Sequence, residues 1–174
     1  MRIIAGDWGG RRIKAPAGRE VRPTTDRVRE AWMAALGGRL DGLTVLDLFA
    51  GSGALGLEAL SRGAAYATFV ELARASLRSL EDNVRLLEAG DRCRIVRGDA
   101  MKFVRQLGPK SFDLALADPP YQEGWAAALL ERFCEVPFAR ELWVEHRTGE
   151  PLPELPGLAH RRYGDTMLTI IKAE

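Results

Sequence analysis

Between residues 44 and 144, five short strand-like runs alternate with segments that have the periodicity of helices. The runs cover residues 44–49, 66–70, 94–97, 114–117 and 142–144. Short apolar runs bounded by breakers are typical of buried parallel strands, and strands that alternate with helices form a sheet with right-handed crossovers. The sequence therefore predicts an α/β domain built on a mostly parallel sheet.

Both ends of the chain depart from this alternation. Residues 159–163 and 167–172 are separated by only three residues, Gly164-Asp165-Thr166, so they are predicted to form an antiparallel hairpin. Residues 2–15 alternate weakly around a glycine-containing turn at residues 7–10, which predicts two short strands that must pack on the main domain or on a partner. A helix with one apolar face is predicted to follow, with Thr24, Thr25 and Asp26 as candidate N-caps.

The composition sets broad limits on the class of protein. A chain of 174 residues with 47% hydrophobic residues is expected to form one compact domain. Cys93 and Cys134 are isolated and have no histidines at metal-ligand spacing, so we expect reduced thiols and no metal site. No apolar run is long enough to span a membrane and no signal peptide is recognisable, which favours a cytoplasmic protein.

The charge is concentrated near the amino terminus. Residues 1–30 contain eight basic and four acidic side chains, whereas the whole chain has a net charge of +1. We divide the chain into a basic hairpin arm, residues 1–22, and a main domain, residues 23–174. Such an arm suggests a polyanionic partner, with Arg11, Arg12, Lys14 and Arg19 as candidate phosphate contacts. A solvated basic surface is the alternative interpretation.

A glycine turn after the first predicted strand indicates a nucleotide-like ligand. Gly51, Gly53 and Gly56 follow the GxGxxG spacing between a strand and a helix, and Glu71 ends the next strand twenty residues after Gly51. Glycines allow close approach of a ligand to the backbone, and an acid at that position can hold the two hydroxyls of a ribose. This spacing alone does not separate NAD from other adenosine cofactors.

Three further acids favour S-adenosylmethionine. Asp47 lies within the first strand, where it can neutralise an α-amino group; Asp99 ends the third strand, where it can accept a hydrogen bond from adenine; and Asp118 ends the fourth. Asp47 could instead be a capping or solvent-facing residue, as could Glu71, and Asp99 could equally be the N-cap of the helix at Met101.

The tetrapeptide Asp118-Pro119-Pro120-Tyr121 ends the fourth strand abruptly, because two prolines continue neither a strand nor a helix. The Asp118 carboxylate and the Pro119 carbonyl can each accept one hydrogen of an amino group on a nucleobase. These acceptors would stabilise the positive charge that develops as the nitrogen attacks a carbon, while the Tyr121 ring stacks on the base. The alternative is a plain strand-ending turn with a core aromatic residue.

These motifs resemble those of a known enzyme family. Residues 1–6, 22–31, 47–64 and 118–121 look like the RsmD family of class I S-adenosylmethionine-dependent methyltransferases, which act on guanine N2 in ribosomal RNA. The resemblance implies a Rossmann-like fold with a seven-stranded, mostly parallel sheet whose last strand is antiparallel. It also implies methylation of one guanine of 16S ribosomal RNA within an assembled or late-assembling small subunit, by a monomer without metal.

The motifs and the resemblance together assign three sets of residues. The catalytic set is Asp118, Pro119, Pro120 and Tyr121. The cofactor-binding set is Asp47, Phe49, Ala50, Gly51, Ser52, Gly53, Glu71, Leu72, Asp99, Ala100 and Asp118. The substrate-binding set is Arg11, Arg12, Lys14, Arg19, Arg22, Thr24 and Tyr121; Arg22 and Thr24 could instead contact the carboxylate end of the cofactor or simply form a helix entrance.

Three other functions fit parts of the pattern. A DNA adenine-N6 methyltransferase can carry the same tetrapeptide, although 174 residues leave little room for a module that recognises a DNA sequence. An NAD-linked dehydrogenase shares the glycine spacing but gives no reason for the tetrapeptide. A non-catalytic RNA-binding protein would use the arm but leaves Asp47, Glu71 and Asp118 unexplained.

Overall fold

The computed structural model describes residues 1–16 and 26–174. The helices are α1 (Asp26–Ala35), α2 (Ala54–Ser61), α3 (Arg74–Leu86), α4 (Ala100–Arg105) and α5 (Trp125–Glu135). The strands are β1 (Thr44–Leu48), β2 (Tyr66–Glu71), β3 (Cys93–Arg97), β4 (Phe112–Ala117), β5 (Ala139–Arg147), β6 (Ala159–Tyr163) and β7 (Thr166–Lys172). The alternation of strands and helices predicted from the sequence is confirmed.

The seven strands form one sheet in the order β3-β2-β1-β4-β5-β7-β6. Neighbouring strands from β3 to β5 are parallel, whereas β7 is antiparallel to both β5 and β6. Both the terminal hairpin and the antiparallel last strand are therefore confirmed. Strand β1 lies where the strand order reverses, between β2 and β4, and sheets of this type bind ligands beyond the carboxyl ends of the strands at such a point.

Helices cover both faces of the sheet, so the strands are buried on both sides. Along β1, Val45 packs into the cluster that includes α1, α2 and α3, whereas Leu46 and Leu48 pack into the cluster that includes α4 and α5. This alternation follows from the two-residue period of a strand. It places the side chain of Asp47 on the same face as α2.

Strand β5 is longer than the apolar run at residues 142–144 predicts. It extends to Glu145 and His146, both buried in the sheet. Buried polar side chains are tolerated where they have hydrogen-bond partners, and here the partners come from distant elements: Glu145 accepts from Trp32 and Tyr121, and His146 contacts Thr169. A local pattern contains no information about such partners.

The basic arm packs on the main domain through two buried isoleucines, Ile3 and Ile13. The two predicted strands are reduced to a single antiparallel bridge between Arg2 and Arg12. Beyond this bridge the backbone amides of residues 4 and 5 donate to the Glu58 carboxylate of α2, at 2.8 and 3.1 Å, and the chain turns at Gly6. Among the described helices of the chain, none has the length and apolarity needed to cross a membrane.

Candidate functional site

The glycine turn connects β1 to α2 through an unusual backbone. Phe49, Gly51 and Gly53 all have positive φ angles, of 55°, 58° and 84°. For Phe49 this conformation is strained, and such strain concentrates at functional sites. The turn is closed by a hydrogen bond of 2.8 Å from the Gly53 amide to the Ala50 carbonyl.

The three glycines of the turn are needed for different reasons. A side chain at Gly53 would collide with Leu80, and one at Gly56 would come within 2.9 Å of the Phe69 Cζ atom. At Gly51 no heavy atom of the described residues lies within 4 Å of the position that a Cβ would take. Gly53 and Gly56 therefore let α2 and α3 pack closely on the sheet, while Gly51 leaves the backbone open to a ligand.

Glu71 connects the end of β2 to the glycine turn. Its Oε2 atom accepts from the Gly51 amide at 2.7 Å, and its Oε1 atom accepts from the amides of Leu72 and Ala73 at 2.9 and 2.8 Å. Each carboxylate oxygen can accept more than one hydrogen bond, so acceptor capacity for ligand hydroxyls is left. Leu72, in contrast, is 61% exposed and offers an apolar surface beside this carboxylate.

Asp47 is a buried carboxylate beneath the same turn. Its Oδ2 atom accepts from the Gly56 amide at 2.9 Å, near the start of α2. Burial raises the pKa of Asp47 well above its usual range; the Gly56 hydrogen bond opposes this shift, and the charges of Asp118 and Glu71 add to it. Asp47 thus interacts electrostatically with the carboxylates of Glu71, at the end of β2, and Asp118, just after β4, and this arrangement favours a cationic ligand.

Asp118 to Tyr121 follow β4 directly, at the carboxyl edge of the sheet. Asp118 is partly buried and Pro119 is buried, and Gln122, immediately after the tetrapeptide, has a positive φ of 62°. The chain then turns through Gly124 into α5. The tetrapeptide is therefore a rigid corner that begins next to the end of β1, and its first residue interacts electrostatically with Asp47.

Tyr121 is half-buried, and its hydroxyl forms hydrogen bonds within the protein. The hydroxyl donates to Glu145 Oε1 at 2.8 Å and lies 3.5 Å from the Thr166 hydroxyl. Burial and the neighbouring Glu145 charge raise the pKa of Tyr121 to about 12. The phenol therefore remains protonated at neutral pH and acts as a hydrogen-bond donor, not as a base.

An aromatic contact joins the two turns of the site. The rings of Phe49, after β1, and Trp125, at the start of α5, lie 5.9 Å apart with an interplanar angle of 48°. Tilted pairs at this distance are favourable, contributing about 0.5–1.5 kcal/mol beyond the area they bury. The pair connects the glycine turn to the segment that follows Asp118–Tyr121.

Several predicted residues have a local structural partner. Asp99 is the N-cap of α4, accepting from the Lys102 amide at 2.8 Å, and Ala100 is the first residue of that helix. In the arm, Arg11 donates to the Leu86 carbonyl at 2.7 Å and Lys14 pairs with Asp82 at 2.9 Å. Arg12 is exposed, and Arg19, Arg22 and Thr24 lie outside the described residues.

Sequence reasoning missed the residues that support the tetrapeptide. Glu145 and Thr166 contact Tyr121, and Trp32 of α1 contacts Glu145. The one local signal is that Glu145 directly follows the apolar run 142–144. In the described part of the chain, no three His, Cys, Asp or Glu side chains are arranged to hold a metal ion.

The sheet order and the site at the carboxyl ends of β1, β2 and β4 define a Rossmann-like methyltransferase fold of class I. The family model described as "Conserved hypothetical protein 95" matches residues 1–172. The chain belongs to this family, which is the RsmD family of methyltransferases that its motifs indicate.

Individual relatives support this membership. "Ribosomal RNA small subunit methyltransferase D" of Escherichia coli K12 is 41% identical over 159 residues, covering 90% of this chain and 79% of that protein. "Putative rRNA methyltransferase YlbH" of Bacillus subtilis is 36% identical over 99% of this chain and 98% of its own. The solved structure "Putative methyltransferase yhhF from Escherichia coli" superposes with a TM-score of 0.85 at 36% identity, covering 100% of this chain and 98% of that chain.

Proposed function

We propose that this enzyme transfers a methyl group from S-adenosylmethionine to the exocyclic N2 of a guanine in 16S ribosomal RNA of the small subunit. The observation that carries the proposal is the rigid corner at Asp118–Tyr121, which begins beside the glycine turn and interacts electrostatically with Asp47. The curated relative from Escherichia coli, named as a small-subunit ribosomal RNA methyltransferase, supports the choice of substrate.

The residues around the glycine turn fit this cofactor. Asp47 would hold the α-amino group, since a cation relieves the cost of a buried carboxylate, and the open backbone at Gly51 would allow close approach. Glu71 would accept hydrogen bonds from the ribose hydroxyls and the exposed Leu72 would cover the adenine, with Asp99 beside it. Phe49, Ala50, Ser52, Gly53 and Ala100 would complete the wall of the site.

When bound, S-adenosylmethionine supplies a methyl group activated by an adjacent sulfonium. On the acceptor side, the Asp118 carboxylate and the Pro119 carbonyl would accept the two N2 hydrogens and point the nitrogen lone pair at the methyl carbon. Pro120 would keep the corner rigid, and Tyr121 would stack on a base that has left its helix or lies in a loop. The rate gain would come from positioning and from these two acceptors, without a strong base. The methylated nitrogen would then release one of its two hydrogens to solvent as a proton.

The arm would bind the phosphates of the RNA. Arg12 is exposed, while Arg11 and Lys14 lie along α3 and still present charge to solvent, since the Lys14 side chain is 64% exposed. Arg19, Arg22 and Thr24 remain assigned to the substrate side. Contacts of this kind give affinity that falls as salt is added.

The decisive experiment measures labelled methyl transfer from S-adenosylmethionine to small subunits that lack the modification, followed by mapping of the labelled base. Asp118→Ala is expected to reduce turnover by about 100-fold or more, because it removes an acceptor for the developing charge, while binding of adenosylhomocysteine changes little. Asp91→Ala, which alters an exposed carboxylate in the turn Gly90–Arg92 before β3, is the control and should behave as wild type.

Two outcomes would contradict the proposal. Near-normal methylation by Asp118→Ala would remove Asp118 from the reaction. Labelling of duplex DNA in place of the subunits would favour the adenine-N6 alternative.

A further inference from the structure

We propose that Glu145 is a positioning residue for methyl transfer, which fixes the Tyr121 ring against the guanine through the tyrosine hydroxyl. This inference rests on the proposed function and assigns a role to a residue outside the glycine turn and the tetrapeptide.

Glu145 is a buried carboxylate whose two oxygens have separate partners. It is 1% exposed; Oε1 accepts from the Tyr121 hydroxyl at 2.8 Å and Oε2 accepts from the Trp32 indole Nε1 at 3.1 Å. Trp32 is itself fully buried in α1. Because a buried carboxylate is costly unless its oxygens are satisfied, donors on both sides determine the orientation of this one.

The register of the sheet places Glu145 at the level of the tetrapeptide. In the β4–β5 pair, Ala117 lies opposite Val144, so Asp118, the first residue after β4, is level with Glu145 of β5. Glu145 points toward the α1 face, since it contacts Trp32. Its bond to Tyr121 therefore draws the phenol back over the carboxyl end of β5 and sets the ring orientation.

A second contact comes from the last strand. The Thr166 hydroxyl lies 3.5 Å from the Tyr121 hydroxyl, and Thr166 is the first residue of β7. Since the pKa of Tyr121 is raised to about 12, the phenol stays a donor across the working pH range and the bond to Glu145 persists. Three separate elements, α1, β5 and β7, thus contribute to the placement of one aromatic ring.

A purely structural role for Glu145 predicts different results from a positioning role. If Glu145 only satisfied Trp32 and completed the core, its replacement would change the free energy of unfolding and leave turnover of the folded enzyme unchanged. If it positions Tyr121, removing either partner of the Glu145–Tyr121 bond frees the same ring. Misplacement of a positioning group by about 1 Å can cost on the order of 100-fold in rate.

The test is a double-mutant cycle with Glu145→Gln, Tyr121→Phe and the double variant, assayed by methyl transfer to unmodified small subunits. In Glu145→Gln the amide oxygen must face Trp32, because an indole can only donate, so the NH2 faces Tyr121 and a neutral bond replaces the charge-assisted one. Tyr121→Phe keeps the ring and removes the bond. We expect kcat/KM to fall by about 10-fold in Tyr121→Phe and by less in Glu145→Gln.

The double variant shows whether Glu145 acts through Tyr121. We expect the double variant to match Tyr121→Phe, because the second change has nothing left to disrupt. The matched control is Glu141→Gln on the same strand, whose carboxylate accepts from the Trp143 indole at 2.9 Å, far from the tetrapeptide along β5. This control should retain wild-type kcat/KM, and all variants should bind adenosylhomocysteine as the wild type does.

Each outcome decides a separate point. Wild-type kcat/KM in Tyr121→Phe, or effects that multiply in the double variant, would overturn the role of Glu145 while the proposed function stands. Absence of methyl transfer by the wild-type enzyme would overturn both. If urea unfolding shows that Glu145→Gln folds poorly, the test rests on the kcat/KM of Tyr121→Phe, and a wild-type value overturns the role of Glu145.

Discussion

Asp47 combines a structural cost with a functional purpose. It is 1% exposed, and burial is the largest cause of its raised pKa. A group whose pKa is higher in the folded protein than in the unfolded chain contributes stability at low pH, and this stability is lost as the pH rises through the folded-state pKa. Asp47 therefore destabilises the ligand-free protein as it ionises, which a cationic group of the cofactor would offset.

Asp47→Asn is therefore expected to gain stability and to lose affinity for the cofactor. The amide oxygen can still accept from Gly56, so the free energy of unfolding at pH 8 should equal or exceed that of the wild type. The affinity for adenosylhomocysteine should fall by about 10-fold to 100-fold, the value of one hydrogen bond to a charged group. Urea unfolding and calorimetric titration at pH 5 and pH 8 measure both quantities.

The pH dependence provides an internal control for the same variant. Wild-type affinity should weaken as the pH falls through the pKa of Asp47, whereas Asp47→Asn should lack this part of the slope. A variant that is less stable than the wild type at pH 8, or that keeps wild-type affinity, contradicts the role given to the carboxylate.

At the residue scale, the sequence predicts which residues come together only where those residues belong to neighbouring elements of the chain. The spacing of Gly51, Gly53 and Glu71 was sufficient, because a strand, a turn and the next parallel strand bring these residues together. Glu145 could not be found in this way, since its partners Trp32 and Tyr121 lie 113 and 24 residues away in the chain. A long-range partner leaves no periodic signal.

Among the elements, the arm depends most on a single side chain. Glu58 of α2 is fully buried and accepts from the amides of Ile4 and Ala5 and from Arg62 Nε, the last at 2.9 Å. One carboxylate thus anchors the arm on α2 and neutralises a largely buried guanidinium.

Glu58→Ala is therefore expected to lower the free energy of unfolding by about 3–5 kcal/mol, the cost of breaking a buried ion pair from one side. Chemical denaturation with urea measures this directly. Glu81→Ala, an exposed glutamate on α3, is the matched control and should change stability by less than about 0.5 kcal/mol. A loss of similar size in both variants would mean that the arm does not depend on Glu58.

Elements were predictable where one pattern dominates. The bounds of β1 and β2 differ from the sequence prediction by one residue each, because apolar runs and breakers coincide there. The arm was predicted as two strands but contains one bridge, because the amides of residues 4 and 5 bond to Glu58 and the chain already turns at Gly6, whose φ is 83°. Whether a backbone amide bonds to a distant side chain or to a neighbouring strand depends on tertiary packing, which a short stretch of sequence does not specify.

For the whole molecule, ligand binding should appear as a gain in stability. At a free adenosylhomocysteine concentration 100 times its Kd, linkage adds about 2.7 kcal/mol to the free energy of unfolding. For a chain of this size that corresponds to a rise in Tm of about 5–10 °C, measurable by calorimetry. NAD at equal concentration should leave Tm unchanged; stabilisation by NAD alone would instead support the dehydrogenase alternative.

The order of the strands in the sheet can be predicted only in part from the alternation of strands and helices in the sequence. Alternating strands and helices predict a parallel sheet and the short 164–166 link predicts a terminal hairpin, but neither determines the order β3-β2-β1-β4-β5-β7-β6. The family resemblance implied seven strands with the last one antiparallel, and the structure confirms both. Strand order depends on which faces pack together, a property of the complete chain.

The position of β7 has a consequence for biosynthesis. Because β7 lies between β5 and β6, the antiparallel part of the sheet can form only after the ribosome has synthesised residues 166–172; until then β5 pairs with β4 alone and β6 lacks its partner β7. Strands β1 to β5 can pair earlier in the nascent polypeptide, but Tyr121 can meet Thr166 only once residue 166 has been made. A translation product interrupted before residue 166 would therefore lack strand β7 and one of the contacts of the Tyr121 hydroxyl.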